Sequence, residues 1–76
     1  MIKDKVKALF TLTKTSQKEI AEKKGISFQH LNVNINQRTI KAKDLVEYAH
    51  FTGTTLAFLD SNNNPIVKFD INDLEE

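Results

Sequence analysis

The chain has 76 residues, of which 39% are hydrophobic and 28% are charged. This length suits a single small domain, since domains usually run about 50–250 residues. The absence of cysteine excludes disulfides and thiolate metal sites, and it indicates an intracellular protein. The first residues are too charged for a signal peptide, and no apolar run approaches the roughly 18 residues of a membrane helix. We therefore expect a cytoplasmic protein without a membrane segment.

The net charge of +1 hides an asymmetry along the chain. Residues 1–53 contain ten basic and five acidic residues, whereas residues 54–76 contain one basic and five acidic residues. The two parts therefore have to be interpreted separately. A basic first part is the electrostatic pattern expected of a protein that binds nucleic acid.

Hydrophobic spacing predicts a helix at the start of the chain. One helical face collects apolar residues at the spacing i, i+4, i+7 and i+8, namely Ile2, Val6, Leu9 and Phe10. The threonine-rich stretch at residues 11–15 then weakens the helix, so we expect it to end there.

Two short helices separated by a glycine turn are predicted next. Ser16 is a favourable N-cap with Glu19 three residues later, as a capping box requires, so a helix begins near residue 17. Gly25 ends that helix, because Gly adopts the left-handed conformation of a helix C-terminus without steric cost. Ser27 is the next N-cap. The helix at residues 28–36 must be held by tertiary contacts, because Asn and Val are mediocre helix formers.

A fourth helix and a β-hairpin complete the predicted elements. The helix ends at Gly53 and has an apolar face made of Ala42, Leu45, Val46 and Ala49. Residues 54–59 and 66–69 are β-prone and flank a polar turn at residues 61–65, which predicts a hairpin. Residues 70–76 are expected to form one acidic helical turn or to fray.

These elements predict a mostly α fold with four or five helices and a C-terminal β-hairpin. We expect residues 1–53 to form the main domain. Residues 54–76 are expected to form a hairpin and an acidic tail that serve in dimerisation.

Residues 16–35 carry the most informative pattern. Two helices that meet steeply need a small residue where they approach, a residue tolerant of positive φ in the turn, and an apolar residue after it. Ala21, Gly25 and Ile26 meet these three needs. The segment is therefore predicted to be a helix-turn-helix.

The run SQKEIAEKKGIS at residues 16–27 resembles the helix-turn-helix core of the phage repressor and Cro family, also called the Xre family. The shared pattern is Q-x-x-(I/L)-A-x-x-x-G-(I/V)-(S/T), and the resemblance covers residues 3–53. It implies a lambda-repressor-like fold and a regulator that binds double-stranded DNA. Lys24 and Asn34 depart from the family, which usually has apolar residues there, and Ile35 is expected to replace Asn34 in the core.

The resemblance implies that the second helix of the motif enters the major groove. The base-reading residues expected from it are Ser27, Phe28, Gln29, His30, Asn32 and Val33. The amides of Gln29 and Asn32 can bond adenine bidentately, and Phe28 and Val33 can pack on thymine methyls, which favours an A·T-rich palindromic operator. The alternative for Phe28 is that it contacts a partner protein or packs on its own domain. The alternative for His30 is that it is a solvated surface residue.

Phosphate contacts are implied at two places. Gln17 begins the first helix of the motif, where the backbone amides also favour an anion. The second group surrounds the loop after the reading helix and consists of Asn36, Arg38, Thr39, Lys41 and Lys43. A single lysine is usually only a solvated charge, so the cluster carries this prediction. The reading helix itself has no Lys or Arg, so we expect modest affinity per monomer and a strong salt dependence.

The predicted hairpin carries apolar side chains on both faces. A two-stranded hairpin alone is marginal in water, so one face is expected to pack on its own domain and the other on a second copy. The expected interface residues are Leu56, Phe58, Ile66 and Phe69. A homodimer suits two half-sites about one helical turn apart. The alternative is that the helices bury both faces.

The sequence therefore predicts a small phage or bacterial regulator that acts as a homodimer and represses by occluding a promoter. No enzymatic activity, metal or other cofactor is expected, because there is no Gly-rich phosphate loop and His30 and His50 lack a metal-ligand spacing. The alternative is a module of the same fold that binds a regulatory protein, as an antirepressor, antitoxin-like protein or accessory regulator. Phe28 and Val33, and the lack of Arg on the reading helix, favour that alternative.

Overall fold

The computed structural model describes residues 1–37 and 39–74. Its elements in chain order are α1 (Ile2–Leu12), α2 (Gln17–Lys24), α3 (Phe28–Asn36), α4 (Ala42–Thr52), β1 (Leu56–Leu59), β2 (Pro65–Phe69) and a 3₁₀ helix (Ile71–Leu74). The protein is mostly helical and has a C-terminal two-stranded antiparallel hairpin, as predicted. None of the helices in these ranges has the length and apolar character of a membrane span.

The chain divides into two compact units, and the boundary lies between Lys41 and Ala42. The first unit contains α1, α2 and α3, and the second contains α4, the hairpin and the 3₁₀ helix. The charge asymmetry is sharper at this boundary than at Gly53. The first unit has nine basic and three acidic residues, and the second has two basic and seven acidic residues.

The helix α3 is the centre of the first unit, because it contacts both α1 and α2. The buried apolar residues of this unit are Val6, Phe10, Ile20, Ala21, Leu31 and Ile35. Full burial of one Leu or Ile side chain stabilises a fold by about 1.5–3 kcal/mol. Leu31 and Ile35 therefore hold α3 in place despite its weak helix formers. The spacing also placed Ile2 on the apolar face, but Ile2 is 58% exposed because it lies at the first residue of α1.

The connection between α2 and α3 is a left-handed turn at Gly25, whose φ is 73°. The N–H of Gly25 donates to the carbonyl of Glu22 at 3.1 Å, and the N–H of Ile26 donates to that of Ala21 at 3.0 Å. These two bonds satisfy carbonyls that would otherwise lack partners at the end of α2. The predicted stop at Gly25 is confirmed.

Serine side chains begin both helices of this pair, as predicted. The Oγ of Ser16 accepts a hydrogen bond from the N–H of Glu19 at 3.1 Å. The Oγ of Ser27 accepts one from the N–H of His30 at 3.0 Å. Because each bond satisfies a free donor in the first turn of a helix, the two caps fix where α2 and α3 begin.

The same kind of left-handed turn ends α1 and α4. At the end of α4 it is formed by Gly53, with φ 72°, and the next residue, Thr54, donates its N–H to a carbonyl five residues back at 2.9 Å. At the end of α1 it is formed by Lys14, with φ 55°, and Thr15 makes the equivalent bond at 2.9 Å. Lys14 adopts this conformation at a cost, since the left-handed region is unfavourable for residues with a Cβ.

In the second unit, α4 contacts β1 and the 3₁₀ helix. Its buried apolar residues are Val46, Tyr48 and Ala49. In the hairpin, Leu56 is opposite Phe69 and Phe58 is opposite Val67, with a bulge after Phe58. The sequence placed Pro65 in the turn, whereas the structure makes it the first residue of β2. Pro fits this place because it has no N–H to donate to the ladder.

The turn of the hairpin is closed by Asp60. One of its carboxylate oxygens, Oδ1, accepts from the N–H of Asn62 at 2.8 Å and from that of Asn64 at 2.9 Å. Asn63 adopts a left-handed conformation with φ 66°, which Asn tolerates better than most residues. The asparagine-rich turn is therefore specified by its own side chains.

Lys14→Gly should raise the free energy of unfolding by up to about 1 kcal/mol, because Gly removes the left-handed strain at the end of α1 but adds chain entropy to the unfolded state. Urea denaturation measures the change. The matched control is Gly25→Ala, where an added Cβ meets nothing within 4 Å, so that only the backbone conformation is penalised. We expect this control to lose about 1 kcal/mol. A Lys14→Gly variant no more stable than the unmodified chain would contradict strain at Lys14.

Candidate nucleic-acid interface

The outer face of α3 is a continuous exposed surface. Leu31 and Ile35 turn inward, and the remaining side chains of the helix, apart from the half-buried Asn34, are exposed. The six residues predicted to read bases are all exposed and all lie at the start or along the length of this one helix. Among them Phe28 is 49% exposed and Val33 is 47% exposed, so two apolar side chains face outward together with amides.

Two asparagines on this face are joined to α1. The Nζ of Lys7 donates to Oδ1 of Asn36 at 2.9 Å. The Nδ2 of Asn36 donates to the backbone carbonyl of Asn32 at 2.9 Å and to its Oδ1 at 2.8 Å. No sequence pattern singles out Lys7. Lys7 and Asn36 are 29 positions apart, and only the packing of α1 on α3 brings them together.

Asn34, which departs from the family pattern, takes part in closing the C-terminal end of α3. Its backbone carbonyl accepts from the N–H of Thr39 at 3.1 Å and from the hydroxyl of Thr39 at 2.9 Å. Both donors of Thr39 are therefore engaged. A phosphate contact by Thr39 would have to replace one of these bonds.

The remaining residues predicted to contact phosphate are distributed over both units. Gln17 is the first residue of α2, and its amide oxygen is buried without a hydrogen-bond partner in the described ranges. Lys41 is exposed at the end of the first unit, and Lys43 is exposed in the first turn of α4, in the second unit. Arg38 lies outside the described residues.

The hairpin exposes a group of four apolar side chains, which we call the apolar hairpin cluster: Phe58, Leu59, Ile66 and Val67. Two of the four predicted interface residues, Phe58 and Ile66, belong to it and are 61% and 67% exposed. The other two, Leu56 and Phe69, are half-buried and line a groove of 280 Å³ beside α4. Phe58 also lines this groove, and its ring packs edge-on against that of Phe69. Three of the four predicted interface residues therefore lie along the groove, and Ile66 lies outside it.

No three His, Asp or Glu side chains of the described ranges are grouped as a metal ion would require. Comparison of the chain with family models, with curated proteins and with solved structures gave no match. A proposal for its function therefore rests on its own residues.

Ser27→Ala should lower the free energy of unfolding by about 1 kcal/mol, the typical loss when a Ser N-cap is removed. Ser27→Asp should retain the stability, because Asp caps equally well and its charge suits a helix N-terminus. Thermal and urea denaturation test both variants. Ser16→Ala, which removes the equivalent N-cap of α2, is the variant for comparison. If Ser27→Ala unfolds like the unmodified chain, the hydroxyl does not cap α3.

Proposed function

We propose that the chain is a sequence-specific DNA-binding protein in which α2 and α3 act as a helix-turn-helix and α3 enters the major groove. The observation that carries the proposal is the outer face of α3. It presents the amides of Gln29 and Asn32 on a helix whose start, end and inner face are all fixed. Such amides discriminate base edges in the major groove. The resemblance of residues 16–27 to the phage repressor and Cro family supports the same function.

The charge of the first unit supports binding to a polyanion. The unit carries nine basic residues against three acidic ones, although α3 itself carries none. Attraction to phosphates and discrimination of bases are therefore properties of different side chains. Binding through such lysines releases counterions, so affinity falls steeply as salt rises.

The homodimer proposed from the sequence is supported by the apolar hairpin cluster. Four large apolar side chains of one short hairpin are exposed, and exposed apolar surface of this kind favours an interface. A second copy carries the same side chains and can cover them around a two-fold axis. Two copies of α3 then read two half-sites, and such a dimer represses most simply by occluding a promoter.

The alternative function is a protein-binding module that uses the same face of α3. The half-exposed side chains of Phe28 and Val33 favour it, because aromatic and aliphatic side chains are suited to a protein partner as well as to thymine methyls. The two functions differ in their dependence on salt and on DNA sequence.

Fluorescence titration against A·T-rich palindromes and random duplexes should show binding that weakens steeply with salt. Gln29→Ala should reduce discrimination at one or two base pairs by about 1–3 kcal/mol, because a base-edge contact is lost. Lys41→Ala should weaken binding to all sequences alike and lower the salt slope by about 1, because a phosphate contact carries no sequence information.

Lys68→Ala is the matched control for that experiment, since it removes a lysine from the acidic second unit and should leave DNA affinity nearly unchanged. If the unmodified chain binds no duplex even at low salt, the DNA-binding function is wrong. The protein-binding alternative then takes its place.

Phe58→Lys and Ile66→Lys should convert the dimer to a monomer, because removing a charge from water into an apolar interface costs free energy that no partner charge offsets. Sedimentation velocity at micromolar concentration measures the change. The matched control is Leu12→Lys, since Leu12 is an apolar residue of α1 that is 82% exposed, and it should leave the association unchanged. A monomeric unmodified chain would rule out the dimer.

A further inference from the structure

The hydrogen bonds that link Lys7, Asn36 and Asn32 have a fixed direction. A lysine ammonium can only donate, so the atom of Asn36 that faces Lys7 at 2.9 Å is its amide oxygen. The nitrogen of the same amide faces Asn32, and the backbone carbonyl of Asn32, which can only accept, requires the same orientation. Asn36 is thus oriented from both sides.

The orientation of Asn36 in turn fixes the side chain of Asn32. The Nδ2 of Asn36 lies 2.8 Å from the side-chain amide of Asn32, and a nitrogen donor requires oxygen there. The oxygen of Asn32 is therefore engaged within α3. Both hydrogens of its Nδ2 remain for a ligand, whereas the oxygen keeps only its second lone pair.

Base edges in the major groove differ in what they offer to such a donor. Guanine presents the acceptors O6 and N7, thymine presents O4, and adenine presents N7 beside its N6 amino group, whereas cytosine presents only the amino group at N4. The bidentate contact with adenine that the sequence suggested also needs Oδ1 of Asn32 to accept from N6, and one lone pair of this oxygen is already used by Asn36. Guanine, thymine and adenine each offer an acceptor to the free donor, and cytosine offers none.

We infer that Asn36, anchored by Lys7, is a positioning residue that makes Asn32 a hydrogen-bond donor that discriminates against cytosine in the operator. This inference rests on the proposed DNA-binding function. It also changes the role of Asn36 from the phosphate contact expected from the sequence, because both the oxygen and the nitrogen of its amide are already bonded. Lys7 keeps two further ammonium hydrogens beside α3, where they can meet the DNA backbone.

The test is a binding-site selection with the unmodified chain and Asn36→Asp. The substituted carboxylate has the shape of the amide but only accepts, so it no longer donates to the backbone carbonyl or to Oδ1 of Asn32, and Oδ1 is released to accept from a base. At one position of each half-site the discrimination against cytosine should be lost. The discrimination itself should be roughly two- to tenfold, the worth of one neutral hydrogen bond.

Gln37→Glu is the matched control, because it adds the same charge one residue further on, at an exposed position. It should weaken binding to every sequence without changing the preferred base. In the free protein, the side-chain amide protons of Asn36 should shift in NMR spectra when Lys7 is replaced by Met, and this readout does not depend on DNA.

Three results would overturn the inference. If the unmodified chain binds selectively and Asn36→Asp selects the same bases at every position, Asn36 does not orient Asn32, and the DNA-binding function still stands. If the amide protons of Asn36 do not shift in Lys7→Met, the anchor is absent. If the unmodified chain binds no duplex, the DNA-binding function fails and the inference fails with it.

Discussion

The left-handed conformation of Gly25 is the constraint on which the outer face of α3 depends. It ends α2, and two residues later the N-cap at Ser27 starts the next helix. The residues of α3 have weak helix propensity, and the helix is stable because Leu31 and Ile35 are fully buried. The turn sets where α3 begins and the two buried side chains set which way it faces. The exposed side chains follow from these two conditions.

Features that depend on a few neighbouring residues could be predicted from the sequence. The caps at Ser16 and Ser27, the stop at Gly25 and the hairpin around residues 61–65 are local, and the structure has all of them. A helix terminus or a turn is decided by the conformational preference of one residue and by one or two hydrogen bonds. Such preferences act in any sequence context, so no knowledge of the fold is required.

Features that depend on packing could not be predicted. The contact between Lys7 and Asn36 joins two helices, and neither residue has a distinctive neighbour in the sequence. The internal bonds of Thr39 likewise could not be distinguished from a role on DNA phosphate. The boundary between the two compact units, before α4, likewise depends on which residues contact one another, and no sequence pattern marks it. These features depend on which surfaces meet, and periodicity does not specify that.

The separation of charge between the two units also affects how the protein behaves in solution. The sequence pI is 8.0, yet the first unit is basic and the second is acidic. Near that pH the net charge is close to zero, so copies of the chain repel each other little. The basic unit of one copy still attracts the acidic unit of another. Salt screens this attraction beyond about 8 Å at physiological ionic strength. The solubility of the chain should therefore rise as salt is added, and it should be lowest in dilute buffer near the isoelectric point.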